Sequence, residues 1–106
     1  MSIAYAVERL YQTGWHPDDN EIDFLPDGTP LPSVNAVKRA FTRAGLELTL
    51  KQNQLFHCVH ASWGEHTSVG QTDQEAAVWA LAQFRENARY PKVVETKPAA
   101  RVAVKV

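Results

Sequence analysis

A cysteine lies between two histidines in the segment His57-Cys58-Val59-His60. Alternate side chains of an extended strand share a face, so the pattern predicts Cys58 and His60 on one face and His57 on the other. A thiol beside an imidazole can act as a nucleophile with its base, which makes a thiol-dependent enzyme one alternative for the function. The pattern is also typical of a small core cysteine beside ordinary histidines, and we favour that interpretation. We therefore predict no catalytic residues.

Two groups of residues contain side chains that can bind metals, but neither has the full set of ligands that a zinc or calcium site needs. His66 adds an imidazole near the cysteine, but one thiol with scattered imidazoles falls short of a four-ligand zinc site. In the acidic run 18–23, an EF-hand loop would need an oxygen ligand at the fifth position and glycine at the sixth. Ile22 and Asp23 stand there instead. We predict a solvent-exposed acidic loop, with no metal and no cofactor.

Basic side chains cluster on the outer face of a predicted second helix and on the element that follows: Lys38, Arg39, Arg43 and Lys51. Such a surface can contact a phosphate backbone, which makes a nucleic-acid-binding regulator another alternative. Residues 1–32 carry one basic and six acidic side chains, a balance of −5, and residues 33–106 carry ten and six, a balance of +4. The two parts can attract each other within one molecule or face different partners.

Apolar residues exceed what a single covered sheet face would bury. The periodicity of the last predicted helix puts Trp79 near the side opposite its core-facing residues. The predicted strand over 55–62 is apolar on both faces, with Phe56 on one and Trp63 following on the other. We predict that Trp63, Trp79 and Phe56 contact a protein partner or a second copy of the chain. Cover by the N-terminal helix or by residues 15–32 is the alternative.

The clearest helix signal is Thr72-Asp73-Gln74-Glu75, a capping box. In this motif the Thr72 hydroxyl accepts from the Glu75 N–H, and the Glu75 side chain reaches back to the Thr72 N–H. It predicts a third helix that runs to about Arg89. Two earlier helices are delimited by a cap residue and a later glycine: Ser2 with Gly14, and Ser33 with Gly45.

Alternating leucines after the second helix predict antiparallel strands. Before that helix, a Pro-Asp-Gly turn at 26–28 follows a short edge strand that contains Ile22 and Phe24. The predicted order after Gly45 is a strand over 46–51, a turn at 52–54, a strand over 55–62, a turn at 63–65 and a strand over 66–70.

These elements predict an α+β fold, a three-stranded antiparallel sheet with two helices on one face, in the order α-β-β-β-α over residues 33–89. An N-terminal helix and an acidic, turn-rich segment, residues 1–32, precede it within one domain of residues 1–90. We expect residues 91–106 to form a flexible tail. No apolar run approaches the ~20 residues of a membrane span, and the N-terminus lacks the basic start of a signal peptide. We therefore expect a cytoplasmic protein without membrane contact.

The order and spacing of the elements over 32–89 are similar to those of the double-stranded-RNA-binding domain. The similarity includes the proline before the first helix of this unit, the Ala44-Gly45-Leu46 exit from that helix, and the small residues of the last helix, such as Ala76 and Ala80. The resemblance implies the α-β-β-β-α fold for this part of the chain.

The positions by which that family contacts RNA differ here. In the family, a lysine pair at the start of the last helix contacts phosphates, but the matching residues are Asp73 and Gln74, and Ala77 stands at a third basic position. The family's long first hairpin loop, which carries a histidine into the minor groove, is replaced by the predicted turn at 52–54. These departures argue against binding of double-stranded RNA. The predicted function is a small non-enzymatic module that binds protein, either a partner or itself as a homodimer.

Overall fold

A computed structural model describes residues 3–17 and 21–89 and confirms the α+β class. The predicted tail over 91–106 and the predicted cap Ser2 lie outside the described residues. The elements in chain order are α1 (Ile3–Gln12), β1 (Ile22–Phe24), β2 (Pro30–Pro32), α2 (Val34–Arg43), β3 (Thr49–Asn53), β4 (Cys58–Trp63), β5 (His66–Gly70) and α3 (Asp73–Arg89).

The main sheet is antiparallel and has the strand order β3-β4-β5. Its register pairs Leu50 with Ala61 and Ala61 with Ser68, so these three residues share the inner face. Along β4 the inward positions Val59, Ala61 and Trp63 are buried. The alternation of the sequence therefore decides which face of the sheet packs on the helices.

The third predicted strand of the main sheet, 66–70, is confirmed, but the bounds predicted for the first and second strands were wrong. β3 begins three residues later than predicted, at Thr49, and β4 begins at Cys58. The leucines at 46 and 48 pack against the core without taking part in the ladder, with Leu48 buried just before β3. Hydrophobic alternation alone therefore placed the first strand too early.

The strands β1 and β2 form a separate two-stranded sheet around the predicted Pro-Asp-Gly turn. Gly28 has φ +89°, and its N–H donates to the Leu25 carbonyl at 2.8 Å. The Asp27 carboxylate accepts from the Thr29 N–H at 2.9 Å, and hydrogen bonding with Thr29 lowers the pKa of Asp27. Since proline has no N–H to donate, the prolines of β2 suit a strand with a single pairing partner.

Both cap residues predicted for α2 are confirmed. The Ser33 hydroxyl accepts from the Ala36 N–H at 3.1 Å. At the other end Gly45, with φ +81°, lets the Leu46 N–H donate to the Phe41 carbonyl at 2.9 Å. This is the Schellman arrangement, and it ends the helix where the glycine permits a left-handed turn.

The start of α3 is also confirmed, because the Thr72 hydroxyl accepts from the Glu75 N–H at 3.1 Å. The return bond from the Glu75 side chain to Thr72 is absent among the bonds of the described residues. Two residues before this cap, Gly70 ends β5 and packs directly against the backbone of the first turn of α3. A Cβ added at Gly70 would lie 2.5 Å from the Ala76 backbone nitrogen, so only glycine fits this contact.

Helix α3 forms the centre of the fold, and every residue from 75 to 82 is buried. The sheet and α2 cover one side, while α1 packs along the other. Arg9 of α1 forms an ion pair with Glu86 of α3 at 2.6 Å, and this hydrogen bond and charge raise the pKa of Arg9. The Tyr11 hydroxyl donates to the Pro30 carbonyl at 2.7 Å, and burial raises the pKa of Tyr11. Helix α1 is thus tied both to α3 and to β2.

Among the described residues, no helix has the length and apolar character needed to cross a lipid bilayer.

Candidate functional site

Residues 54–57 join β3 to β4 and are called the hairpin loop below. The Asn53 side-chain oxygen Oδ1 accepts from the backbone N–H groups of Leu55 at 3.1 Å and Phe56 at 3.3 Å. This is an Asx turn, in which a side chain takes the place of a backbone acceptor. His57 then adopts a left-handed conformation, φ 54°, which returns the chain to the ladder. The backbone of the hairpin loop is therefore fixed at both ends.

Two large apolar side chains occupy the hairpin loop and face solvent. Leu55 is 80% exposed and Phe56 is 70% exposed. The predicted turn at 52–54 and the predicted strand over 55–62 are corrected here: Asn53 starts the turn through its side chain, so the turn falls later in the chain. The exposure of Phe56 leaves it available to a partner, as the predicted contact requires, and Leu55 beside it is also exposed.

The structure corrects the assignment of Trp63 as a partner-binding residue. Its side chain is 2% exposed, because Trp63 lies at an inward position of β4. Its ring centroid lies 5.4 Å from that of Phe41 on α2, and it stacks on His66 at 5.4 Å with an interplanar angle of 23°. Trp63 therefore closes one end of the core.

Trp79 is corrected in the same way. The prediction placed it away from the core, but α1 covers that side of α3, and Trp79 is 8% exposed. The rings of Tyr5 and Trp79 meet edge to face with centroids 5.5 Å apart. The indole Nε1 is buried and has no hydrogen-bond partner among the described residues. Intramolecular cover, the stated alternative, explains this residue.

The sheet face turned away from the helices is polar, which corrects the prediction of a strand that is apolar on both faces. Leu55 and Phe56 lie in the hairpin loop instead of on a strand, and β4 alternates cleanly. The register places these residues on the outer face: Thr49, Lys51, Asn53, Cys58, His60, Ser62, Thr67 and Val69.

Cys58 and His60 share that outer face, as predicted, and the Cys58 Sγ lies 3.7 Å from the His60 Nε2. Cys58 is half-buried at the sheet surface, so the interpretation as a core cysteine was wrong. His57 lies in the hairpin loop instead of on the inner face of a strand. Within the described residues no second hydrogen bond orients the His60 ring, so the pair lacks the third member of a catalytic triad. The described part also contains no group of three or more potential metal ligands.

The four basic residues of the nucleic-acid alternative do not form one surface. Lys51 pairs with His60 and lies on the outer sheet face. The other three lie on α2, which packs on the inner side. There the Arg39 guanidinium forms an ion pair with the Glu21 carboxylate, while Lys38 and Arg43 are exposed. A phosphate backbone would therefore have to reach around the sheet edge to contact all four.

An open cleft of about 750 Å³ lies between the hairpin loop and the start of α3. Its walls include Gln52, His57, Gln71 and Asp73. The described walls bring together neither paired carboxylates nor a cluster of basic groups.

The residues at the positions where the RNA-binding family contacts phosphates do not form a phosphate-binding surface here. The Gln74 side-chain amide donates to the Asp23 carboxylate at 2.8 Å and to the Pro32 carbonyl at 3.2 Å. Ala77 is fully buried, so the position cannot contact a ligand. Asp73 is exposed and would repel a phosphate.

Sequence reasoning missed Leu55, because it placed the residue inside a strand. The signal that was available is Asn53, a residue type that starts turns through its own side chain. No protein-family model, no curated protein and no solved structure matches the chain. The similarity to the double-stranded-RNA-binding domain therefore stays a prediction.

Proposed function

We propose that this chain is a small non-enzymatic protein-interaction module whose contact element is the hairpin loop. The observation that carries the proposal is the exposure of Leu55 and Phe56, at 80% and 70%, on a backbone fixed by Asn53. Exposed apolar pairs of this kind mark interaction sites when they are rimmed by polar residues, and Gln54 and His57 flank them here.

The energetics favour a protein partner with an apolar groove. Full burial of a leucine or phenylalanine side chain contributes about 1.5–3 kcal/mol. Because the Asn53 bonds already order the hairpin loop, little backbone entropy is lost on binding. The hairpin loop contains no Lys, Arg, Asp or Glu, so its association should depend weakly on salt. Phosphate binding would instead weaken steeply as salt is raised.

The first test is the oligomeric state. Light scattering at tens of micromolar would compare the wild type, the double variant Leu55→Ser/Phe56→Ser, and Phe24→Ser. Phe24 is a matched control because it is an aromatic side chain of similar exposure, 66%, on β1. Self-association that is lost in the double variant and kept in Phe24→Ser supports the hairpin loop as the contact element.

If the wild type is monomeric, the second test seeks a different protein. A photoreactive phenylalanine analogue would be placed at position 56, and at position 24 as control, in the native host cell. A protein that crosslinks at 56 only is then purified, and its affinity is measured directly. We expect the double variant to bind it at least tenfold more weakly. A monomer that gives no crosslink at position 56 beyond that at position 24 would refute the proposed function.

A further inference from the structure

A second pocket, unrelated to the hairpin loop, lies where the chain leaves α1 and passes over α2 and α3. It has a volume of about 200 Å³. The short side chains of Ala36 and Ala40 leave the space open on α2, and Leu81 closes it on α3. Trp15 forms another wall, and its ring is held edge to face against Tyr11 with centroids 5.3 Å apart.

The polar groups of this pocket carry positive charge. Arg43 of α2 and Arg85 of α3 both line it, and His16 lies beside them. No Asp or Glu is among the described lining residues. Two guanidinium groups thus line one small pocket, and each can attract an anion by charge and by hydrogen bonds.

Arg85 is held in place and still has donors to offer. Its Nε–H donates to the Thr13 hydroxyl at 2.8 Å, and Nη2 donates to the Thr13 carbonyl at 3.4 Å. A guanidinium has five N–H donors, so three remain, and these donate to no acceptor among the described residues. A fixed planar fork with unused donors is the arrangement that binds oxyanions in bidentate fashion.

We propose that this pocket binds a small oxyanion of about the size of inorganic phosphate. The volume of about 200 Å³ lies below the ~300–1,000 Å³ of sites that enclose drug-sized ligands. At ~30 Å³ per water molecule this volume corresponds to roughly seven waters, which is enough room for a phosphate group. Arg85 supplies the fixed fork, Arg43 the second charge and His16 a further donor or acceptor.

The test is a titration of the isotopically labelled protein with sodium phosphate at constant ionic strength, with chloride as the balancing anion. Nuclear magnetic resonance would follow the Gly14 amide and the Trp15 indole N–H. We expect saturable shifts at both, with a Kd between about 10 µM and 1 mM, because a ligand of five heavy atoms cannot bind much more tightly.

A pair of matched variants distinguishes specific binding in the pocket from nonspecific attraction of phosphate to positive charge. Arg43→Gln should weaken phosphate binding about tenfold, since it removes a charge-assisted donor. Lys38→Gln removes the same charge from the same helix at an exposed residue outside the pocket, and should change the Kd less than twofold. His16→Asn serves as a second pocket variant if Arg43→Gln proves poorly folded.

The acidic residues Asp18 and Asp19 follow closely in the sequence and lie outside the described residues. Saturable binding to the wild type that Arg43→Gln weakens supports the proposal. Equal effects of Arg43→Gln and Lys38→Gln would overturn it, and so would shifts that do not saturate. Binding that is seen only in Asp18→Asn/Asp19→Asn would show that the chain's own carboxylates occupy the pocket, and this outcome also overturns it.

Discussion

Replacement of Trp79 distinguishes a core residue from an interface residue. The side chain is 8% exposed beneath α1, so Trp79→Ala should leave a large cavity between α1 and α3. Core tryptophan-to-alanine substitutions cost about 3–5 kcal/mol. Small domains have a total stability of about 5–15 kcal/mol. We therefore expect Trp79→Ala to be severely destabilised and, where it still folds, to have the same mass by light scattering as the wild type.

The buried Nε1 of Trp79 allows a second, sharper prediction, because no residue that the structure describes accepts a hydrogen bond from it. In Trp79→Phe the smaller ring loses about 1–2 kcal/mol of apolar burial and packing. The same substitution removes an unsatisfied buried donor, which costs the native protein about 1–3 kcal/mol. The two effects nearly cancel, so Trp79→Phe should lie within about 1 kcal/mol of the wild type.

Urea denaturation followed by far-ultraviolet circular dichroism is the suitable assay, because Trp15 and Trp63 would dominate a fluorescence signal. Stability is compared through the denaturation midpoint at a constant m value. A Trp79→Ala variant that is as stable as the wild type but has a lower mass by light scattering would show that Trp79 lies at an interface between copies. This result would refute its packing beneath α1. A Trp79→Phe variant that loses about as much stability as Trp79→Ala would refute the argument from the unsatisfied donor.

Three further predictions concern the start of α3. Thr72→Ala should lower the free energy of unfolding by about 1 kcal/mol and Thr72→Gly by less, with chemical shifts still placing the helix start after residue 72. Gly70→Ala should abolish or strongly reduce stable folding in the same denaturation assay, since the added Cβ would lie 2.5 Å from the Ala76 backbone nitrogen; a midpoint unchanged from wild type would contradict the close contact. An RNA duplex should not bind at physiological salt in a fluorescence-anisotropy titration, because Asp73 and Gln74 replace phosphate-binding lysines; micromolar or tighter affinity would show that the resemblance extends to function.

Local signals in the sequence were sufficient for both ends of α2 and for the start of α3. Ser33, Gly45 and Thr72 each act through bonds to residues a few positions away, so the sequence contains the whole interaction. The hairpin register was not predicted, because hydrophobic alternation continues from Leu46 across residues that pack without pairing. A side-chain bond from Asn53 decided the turn instead, and only the residue type hinted at it.

The placement of Trp79 depended on a tertiary contact, yet the sequence contained a neglected sign of it. Residues 76–82 are apolar without interruption, and a helix that is hydrophobic on all sides is buried on all sides. The helix therefore required a second cover, and α1 is amphipathic enough to provide it. The oxyanion pocket gave no such sign, since Ala36, Arg43 and Arg85 come together only through the packing of α2 on α3.

Helix α3 connects the two proposed sites and also limits how they can be tested. Its first turn borders the cleft next to the hairpin loop, and Arg85 lies twelve residues further along, about 18 Å at 1.5 Å per residue. Any substitution that weakens α3 would reduce binding at both sites by unfolding the protein. Function can therefore be assigned only through exposed side chains, Phe56 at one site and Arg43 at the other. If a variant at Phe56 loses only its protein partner and a variant at Arg43 loses only phosphate, the two sites are independent properties of one rigid fold.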